Sequence, residues 1–415
     1  MTVPESPRPS GTCPVAHGAP DGIVGPRVPL YAPEFAADPH RAYDEMRKRY
    51  GSLVPVDLAP GVPATLVIRY HTAVRILNDP EHFSADPRTW QKNVPADCPV
   101  LPIIGWRPTA SKNTGIDYLR YRQAITSSID GADLHALHAI VGQIAIPHIN
   151  SFCEDGSADI ISQYAFPVAF EAVNSQLGCP PEIGQRAATA LAAVFEGVDA
   201  EAGNAMLSEA LIELVTSKRA DPGNDITSRL VQHPAELDDV EVLNQIVGIY
   251  AGACELQLNL IANALLLILT DERFAGGILG GSLSTRDALD EVLFNDPPLA
   301  NLCVTFPRQP LLVDDVWLPA HQPVVISMSG CNNDPEIRTD SLVGNRSHLA
   351  WGLGPHACPA RSMSYLIAQD AIDQLLDALP ELRLAGEITW RPGPIHRALA
   401  GLPVQFPPSP PFTVL

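Results

Sequence analysis

Trp351-Gly352-Leu353-Gly354-Pro355-His356-Ala357-Cys358 is the stretch on which the reading of the fold turns. Its two glycines and one proline force a tight turn. A long helix is expected just beyond the cysteine, from Arg361 to Leu379, where Pro380 stops it. A thiolate at Cys358 would face the backbone N–H groups of the turn and the positive end of that helix, and both favour its charged form. The same N–H groups would donate hydrogen bonds to sulfur and temper its electron donation to a metal. An inert buried cysteine beside a turn is the plainer alternative at this point.

Outward from the loop, most segments between Tyr118 and Leu379 carry a helical pattern, broken by the glycine-rich run 276–281. Ile246 to Leu269 is the most apolar segment. Glu255, Gln257, Asn259 and Asn263 interrupt it, so it reads as a buried core helix rather than a membrane span. Towards the N-terminus, Pro33 to Tyr50 reads as one amphipathic helix, Leu53 to Tyr70 as a strand pair, and Thr72 to Asn78 as a short helix. Residues 91–113 form a long irregular loop of the kind that carries function. Short β signals lie between Arg308 and Ser327 and again beyond Leu382. The class expected is mainly α with a small β portion. Residues 1–25, turn-rich and proline-rich, are expected to be a flexible segment, and residues 26–415 a single domain.

The chain has 415 residues, 46% of them hydrophobic and 18% charged, long enough for a large core without disulfides. Its eight cysteines show no paired spacing. With 27 basic against 47 acidic residues the net charge is −20, which disfavours nucleic acid and anionic membranes as partners. The N-terminus lacks the pattern of a secretory signal, and a cytoplasmic, reduced protein is expected. A zinc site on His356 and Cys358 has the wrong ligand spacing, and no Gly-x-Ser-x-Gly elbow supports a hydrolase.

The octapeptide resembles the haem-binding loop of the cytochrome P450 family, Phe-Gly-x-Gly-x-His/Arg-x-Cys-x-Gly. Gly352, Gly354, His356 and Cys358 fall on matching positions, with Trp351 for the usual Phe and Ala360 for the usual Gly. His348-Leu349-Ala350, Asp79-Pro80-Glu81-His82-Phe83-Ser84, Asp296-Pro297-Pro298 and Asn333-Asp334-Pro335 extend the likeness over nearly the whole chain. The resemblance implies the cytochrome P450 fold, haem b as cofactor and Cys358 as the iron's thiolate ligand. It also implies propionate contacts from Arg122, Arg308 and His356. Tyr118 stands where the family often has a histidine, four residues before that arginine, and Trp351 and Gly352 complete the cofactor-binding loop.

Two departures stand out. At the place of the family's Glu-x-x-Arg the chain reads Glu291-Val292-Leu293-Phe294, so Glu291 needs another cation, with Arg338 and Arg346 as candidates. In the central helix the family's Ala/Gly-Gly-x-Asp/Glu-Thr becomes Ala251-Gly252-Ala253-Cys254-Glu255-Leu256. One register puts Glu255 at the alcohol position; the preferred one keeps Glu255 as the acid and puts Leu256 at the alcohol. Gly252 and Ala253 are small enough for the helix to approach a haem face. Glu255 is read as a proton donor, with a structural ion pair as the competing role.

The resemblance implies a monooxygenase that inserts one oxygen atom from O2 into a small organic substrate. Electrons would come from a ferredoxin and ferredoxin reductase, docking on a basic patch of Arg107, Lys112, Arg120 and Arg122. A peroxide-driven haem-thiolate enzyme, or a haem-binding partner or sensor with little turnover, are the alternatives.

Overall fold

The computed structural model describes residues 26–196, 200–274, 283–339, 342 and 344–413. The N-terminal segment 1–25 and the glycine-rich break therefore lie outside the described residues. In chain order the strands are β1 (Val28–Pro29), β2 (Leu53–Ala59), β3 (Val62–Val67), β4 (Phe83–Ser84), β5 (Ser157–Asp159), β6 (Asn301–Pro307), β7 (Leu311–Val313), β8 (Val316–Leu318), β9 (Val324–Ser327), β10 (Arg383–Leu384) and β11 (Pro403–Gln405). The early helices are α1 (Pro33–Ala37), α2 (Pro39–Tyr50), α3 (Tyr70–Leu77), α4 (Arg88–Gln91), α5 (Leu101–Ile104), α6 (Gly115–Asp130), α7 (Leu134–Asn150) and α8 (Phe166–Leu177). They are followed by α9 (Pro181–Glu196), α10 (Ala200–Ala220), α11 (Ile226–Val231), α12 (Asp239–Thr270), α13 (Thr285–Asn295), α14 (Met328–Asn332) and α15 (Arg361–Ala378).

One six-stranded sheet has the order β1-β2-β3-β9-β6-β4, mixed parallel and antiparallel. Its inner face buries Val54, Val56, Leu66 and Val325 against Tyr43, Met46 and Tyr50 of α2. The helix expected over Pro33–Tyr50 is two helices. Asp38 leaves helical geometry and accepts from the Arg41 N–H as the cap of α2, with Pro39 at its first position.

The larger core is helical. α7, α8, α12, α13 and α15 pack together around fully buried residues such as Val141, Tyr164, Ile261 and Ile372. α12 starts on a capping box, Asp238 with Glu241. It is long and apolar enough to cross a membrane, yet over half of its most apolar window is buried inside the fold. Its first turn is tied to α6. Arg120 grips Glu241 through both terminal nitrogens at 2.5–2.6 Å, and Tyr121 donates to it at 2.8 Å. The Arg120 hydrogen bond leads the causes that hold the Glu241 carboxyl down to about 2. Arg120 is thus spent inside the fold, which removes it from the basic patch expected around α6.

Candidate functional site

The cysteine loop is closed by its own backbone. Gly352 N–H donates to Leu349 O at 2.8 Å, Ala357 N–H to Gly354 O at 3.1 Å, and Cys358 N–H to Trp351 O at 2.7 Å. Gly354 has φ +70°, and a Cβ there would lie 2.4 Å from the Leu77 carbonyl oxygen at the end of α3. Both the conformation and the contact demand glycine. Gly354→Ala is therefore expected to cost at least ~1 kcal/mol of stability and to loosen the loop, read as a lowered unfolding midpoint; an unchanged midpoint would contradict the packing. Ala360, where the resemblance leads one to expect glycine, has φ −97° and ψ 15°. An alanine adopts that backbone without strain.

Cys358 has an exposed side chain among closely packed neighbours. Burial pushes its thiol up, while the Ala360 N–H and the nearby Arg122 charge pull it down. Arg122 also acts on His356, whose imidazole is brought down to about 4 chiefly by burial and then by that charge. The Tyr118 ring lies 4.7 Å from the His356 ring, and its hydroxyl donates to Pro355 O at 2.6 Å. The structure thus gathers Tyr118, Arg122, His356 and Cys358 in one place. Trp351 is half-buried and packs on the helical core.

No contact of Arg308 with this group is found among the described residues. Pairing of Phe83 with Pro307 carries it to the outer end of the sheet, where it is exposed. There its backbone N–H donates to His82 O at 2.9 Å and its guanidinium reaches Pro80 O at 3.4 Å. The residue of β6 that faces the cysteine loop is Cys303: a Cβ on Gly352 would lie 3.6 Å from its sulfur. Burial first, then Cys358, pushes the Cys303 thiol up to about 11.

Lys112 was placed by the sequence in a surface patch but is turned inward. Burial holds its ammonium down to about 8, with the Arg107 charge adding to the effect. The loop that carries it is pinned three ways. The buried Asn113 amide donates to Arg107 O and Thr109 O at 2.8 Å, and Gln245 of α12 donates to Pro108 O at 2.7 Å. The backbone of Ala110 hydrogen-bonds His356.

On α12, Gly248, Gly252, Glu255 and Asn259 recur at steps of four, three and four and share one face. A Cβ added at Gly248 or Gly252 would meet nothing within 4 Å, so this face borders open space. Glu255 stands at its centre. Arg391 donates to its carboxylate at 2.6 Å, and His396 Nδ1 lies 3.7 Å away. Cys254 is fully buried on the opposite side, and Leu256 is carried round to the flank. These directions put Glu255, and not Cys254, on the open face. Ala253 packs towards the helical core, while Gly252 borders the open face. The Asn259 amide is buried and has no partner on either atom among the described residues. Ser364 and Gln257 exchange two hydrogen bonds at 2.5 and 2.9 Å, which holds the middle of α12 against the first turn of α15.

The missing arginine of the Glu-x-x-Arg position is replaced by different pairs. Glu291 is held by Arg273 at 2.7 Å, not by Arg338 or Arg346. Arg346 instead binds the preceding acid, Asp290, at 3.0 Å, and Tyr365 donates to the same carboxylate at 2.9 Å. Phe294, where the arginine would stand, is fully buried in the apolar core.

The donor set fits a flat, dianionic, thiolate-ligated group. It offers one accessible thiol with an N–H beside it, cations with a hydroxyl and an imidazole around it, and a helix face kept free of side-chain bulk. No family model matches the chain. It is 27% identical over 390 residues to the cytochrome P450 monooxygenase PikC of Streptomyces venezuelae, covering 90% of this chain and 92% of that protein. It is 25% identical over 398 residues to a vitamin D(3) 25-hydroxylase of Pseudonocardia autotrophica, covering 91% and 96%. Among solved structures, CYP154C4 from a Streptomyces species superposes with a TM-score of 0.82 at 23% identity, over 92% of this chain and 98% of that one.

Proposed function

The chain belongs to the bacterial cytochrome P450 family, and from that premise we propose that it inserts one oxygen atom of O2 into a small organic substrate. It is a haem-thiolate monooxygenase, an oxidoreductase whose cofactor is haem b. We assign the two electrons to a ferredoxin supplied by a ferredoxin reductase, and the setting to the cytoplasm of a bacterial cell. Residues 26–415 act as one haem domain.

The observation that carries this reading is Cys358 in a glycine-determined turn, accessible and flanked by the Ala360 N–H and Arg122. In the proposal Cys358 is the iron ligand. Trp351 and Gly352 shape the loop around it, and Tyr118, Arg122 and His356 contact the cofactor's carboxylates. Haem, when bound, supplies the reductive activation of dioxygen. The polypeptide keeps one helix face open at Gly248 and Gly252, where the substrate's reacting carbon has room. Glu255 is the acid on that face. Arg391 orients its carboxylate, and protons reach the consumed oxygen by way of this group, since two are needed for each molecule of water released.

The test is product formation with NAD(P)H and a ferredoxin–reductase pair, using the wild type and Glu255→Gln. The wild type should turn over. Glu255→Gln should keep its haem and lose at least about tenfold in product per electron consumed. Equal coupling in the two proteins would remove Glu255 from proton delivery. The absence of the family's threonine, in either register of the central-helix motif, favours one other reading, a peroxide-driven enzyme. Turnover with peroxide but none with the electron-transfer pair would select it.

A further inference from the structure

An acid that gives up protons must be resupplied, and two basic side chains meet the Glu255 carboxylate. Arg391 donates to Oε1 at 2.6 Å but stays charged at every working pH. His396 Nδ1 lies 3.7 Å from the same oxygen. That is longer than a hydrogen bond, and a shift of under ~1 Å brings the ring within reach. The main chain holds the imidazole there. His396 sits in the hairpin 390–399, where Trp390 pairs with Leu399 and Arg391 N–H donates to Ala398 O at 2.8 Å. His396 itself pairs with Leu299, and Asn263 of α12 donates to Arg397 O at 3.0 Å. One turn along α12 from Glu255, the buried Asn259 amide offers a donor and an acceptor, neither of them used among the described residues.

Side-chain exposure climbs from Glu255 at 15% through His396 at 27% to Arg391 at 41%, so the hairpin leads from the acid to solvent. On its way lies a cavity of about the size of one water molecule, lined by His396, Arg391, Arg397, Tyr43, Asn301 and Ser329. Arg397 is paired with Asp296 at 3.1 Å, which His40 meets at 3.0 Å, and burial pushes the Tyr43 hydroxyl up to about 12. Of the lining side chains, His396 is therefore the one whose charge changes near neutral pH. Burial brings its imidazole down, Glu255 draws it up, and Arg391 lowers it again, so the charged ring parts readily with its proton. Resting on the reading of Glu255 as the site's acid, we propose that His396 carries protons from this cavity to Glu255, which makes the hairpin 390–399 the proton entrance. The imidazolium gives its proton to the carboxylate, and the neutral ring regains one from water.

The test follows kcat, KM and product per electron consumed against pH in the haem-loaded wild type, His396→Gln, His396→Asn, Glu255→Gln and the double variant His396→Gln/Glu255→Gln. Glutamine and asparagine keep a polar side chain but carry no proton, and each should lower kcat about tenfold with KM within about twofold of wild type. The wild-type rate should fall as pH rises through the imidazole's range, which burial sets below about 6.5. That limb should be absent from both His396 variants. The double variant should be no worse than Glu255→Gln, because the two groups act in series. The carbon monoxide band and the thermal midpoint show which variants are loaded and folded. If Glu255→Gln is impaired while the His396 variants keep the wild-type rate and pH limb, this assignment is overturned and the role of Glu255 stands. A raised KM with the limb retained also overturns it, making the imidazole a substrate contact. Equal coupling in Glu255→Gln and wild type overturns the reading of Glu255, and this assignment with it.

Discussion

Cys358→Ala is expected to abolish the thiolate-type carbon monoxide band of the reduced protein while leaving the polypeptide folded. The cysteine side chain is exposed and belongs to no core cluster, so truncating it leaves little cavity behind. The loop around it is held by backbone bonds, Cys358 N–H to Trp351 O among them, and alanine keeps these. The loss should therefore be one of ligation and not of fold. Any haem retained through Arg122, Tyr118 and His356 should show a neutral-ligand spectrum. Monooxygenase turnover should fall below detection, because the electron push from sulfur that favours O–O cleavage is gone. An unchanged band would reject Cys358 as the ligand.

Arg346→Met is expected to carry the largest cost in stability. Asp290 is 2% exposed and has two partners, Arg346 and the Tyr365 hydroxyl. Removing one partner of a buried pair leaves an uncompensated charge, at a cost of about 3–5 kcal/mol when both members are buried. The Arg346 side chain is 41% exposed, so water can take part of its place and ~2–3 kcal/mol is the fitting range. Denaturant unfolding of the apo forms reads this directly. The double variant Asp290→Leu/Arg346→Met should recover part of the loss, since an apolar pair spares the desolvation. If Arg346→Met unfolds with the wild-type midpoint, Asp290–Arg346 does not stand in for the absent Glu-x-x-Arg pair, and Glu291–Arg273 becomes the tie to test.

The cysteine loop, α12, α15 and the β2–β3 pair were legible because each is a local pattern. Glycines before a capped helix, a long apolar periodicity and β-branched runs between turn residues all act within a few residues of chain. Tyr118, Arg122, His356 and Cys358 were singled out through the family resemblance, and the fold brings the four side chains together. What local pattern leaves open depends on register and on distant chain. Arg308 looked like a strand residue, but β6 shifts register between Asn301 and Cys303 and ends at Pro307, which leaves the arginine outside. Lys112 sat in an irregular loop whose course is decided by the Asn113 amide and by Gln245, 137 residues beyond Pro108. The partner of Glu255 lies 136 residues downstream, and no local signal marks Arg391. The orientation of Glu255 could not be settled by aligning short motifs. It follows from the helical angle between Gly248, Gly252 and Glu255 once the open side of α12 is known.

The absorption spectrum of the purified wild-type protein, reduced and exposed to carbon monoxide, tests the central claim most directly. Bound haem with a thiolate-type band, lost in Cys358→Ala, is the expected result. A wild-type protein that binds no haem, or one whose band is that of a neutral ligand, would contradict it.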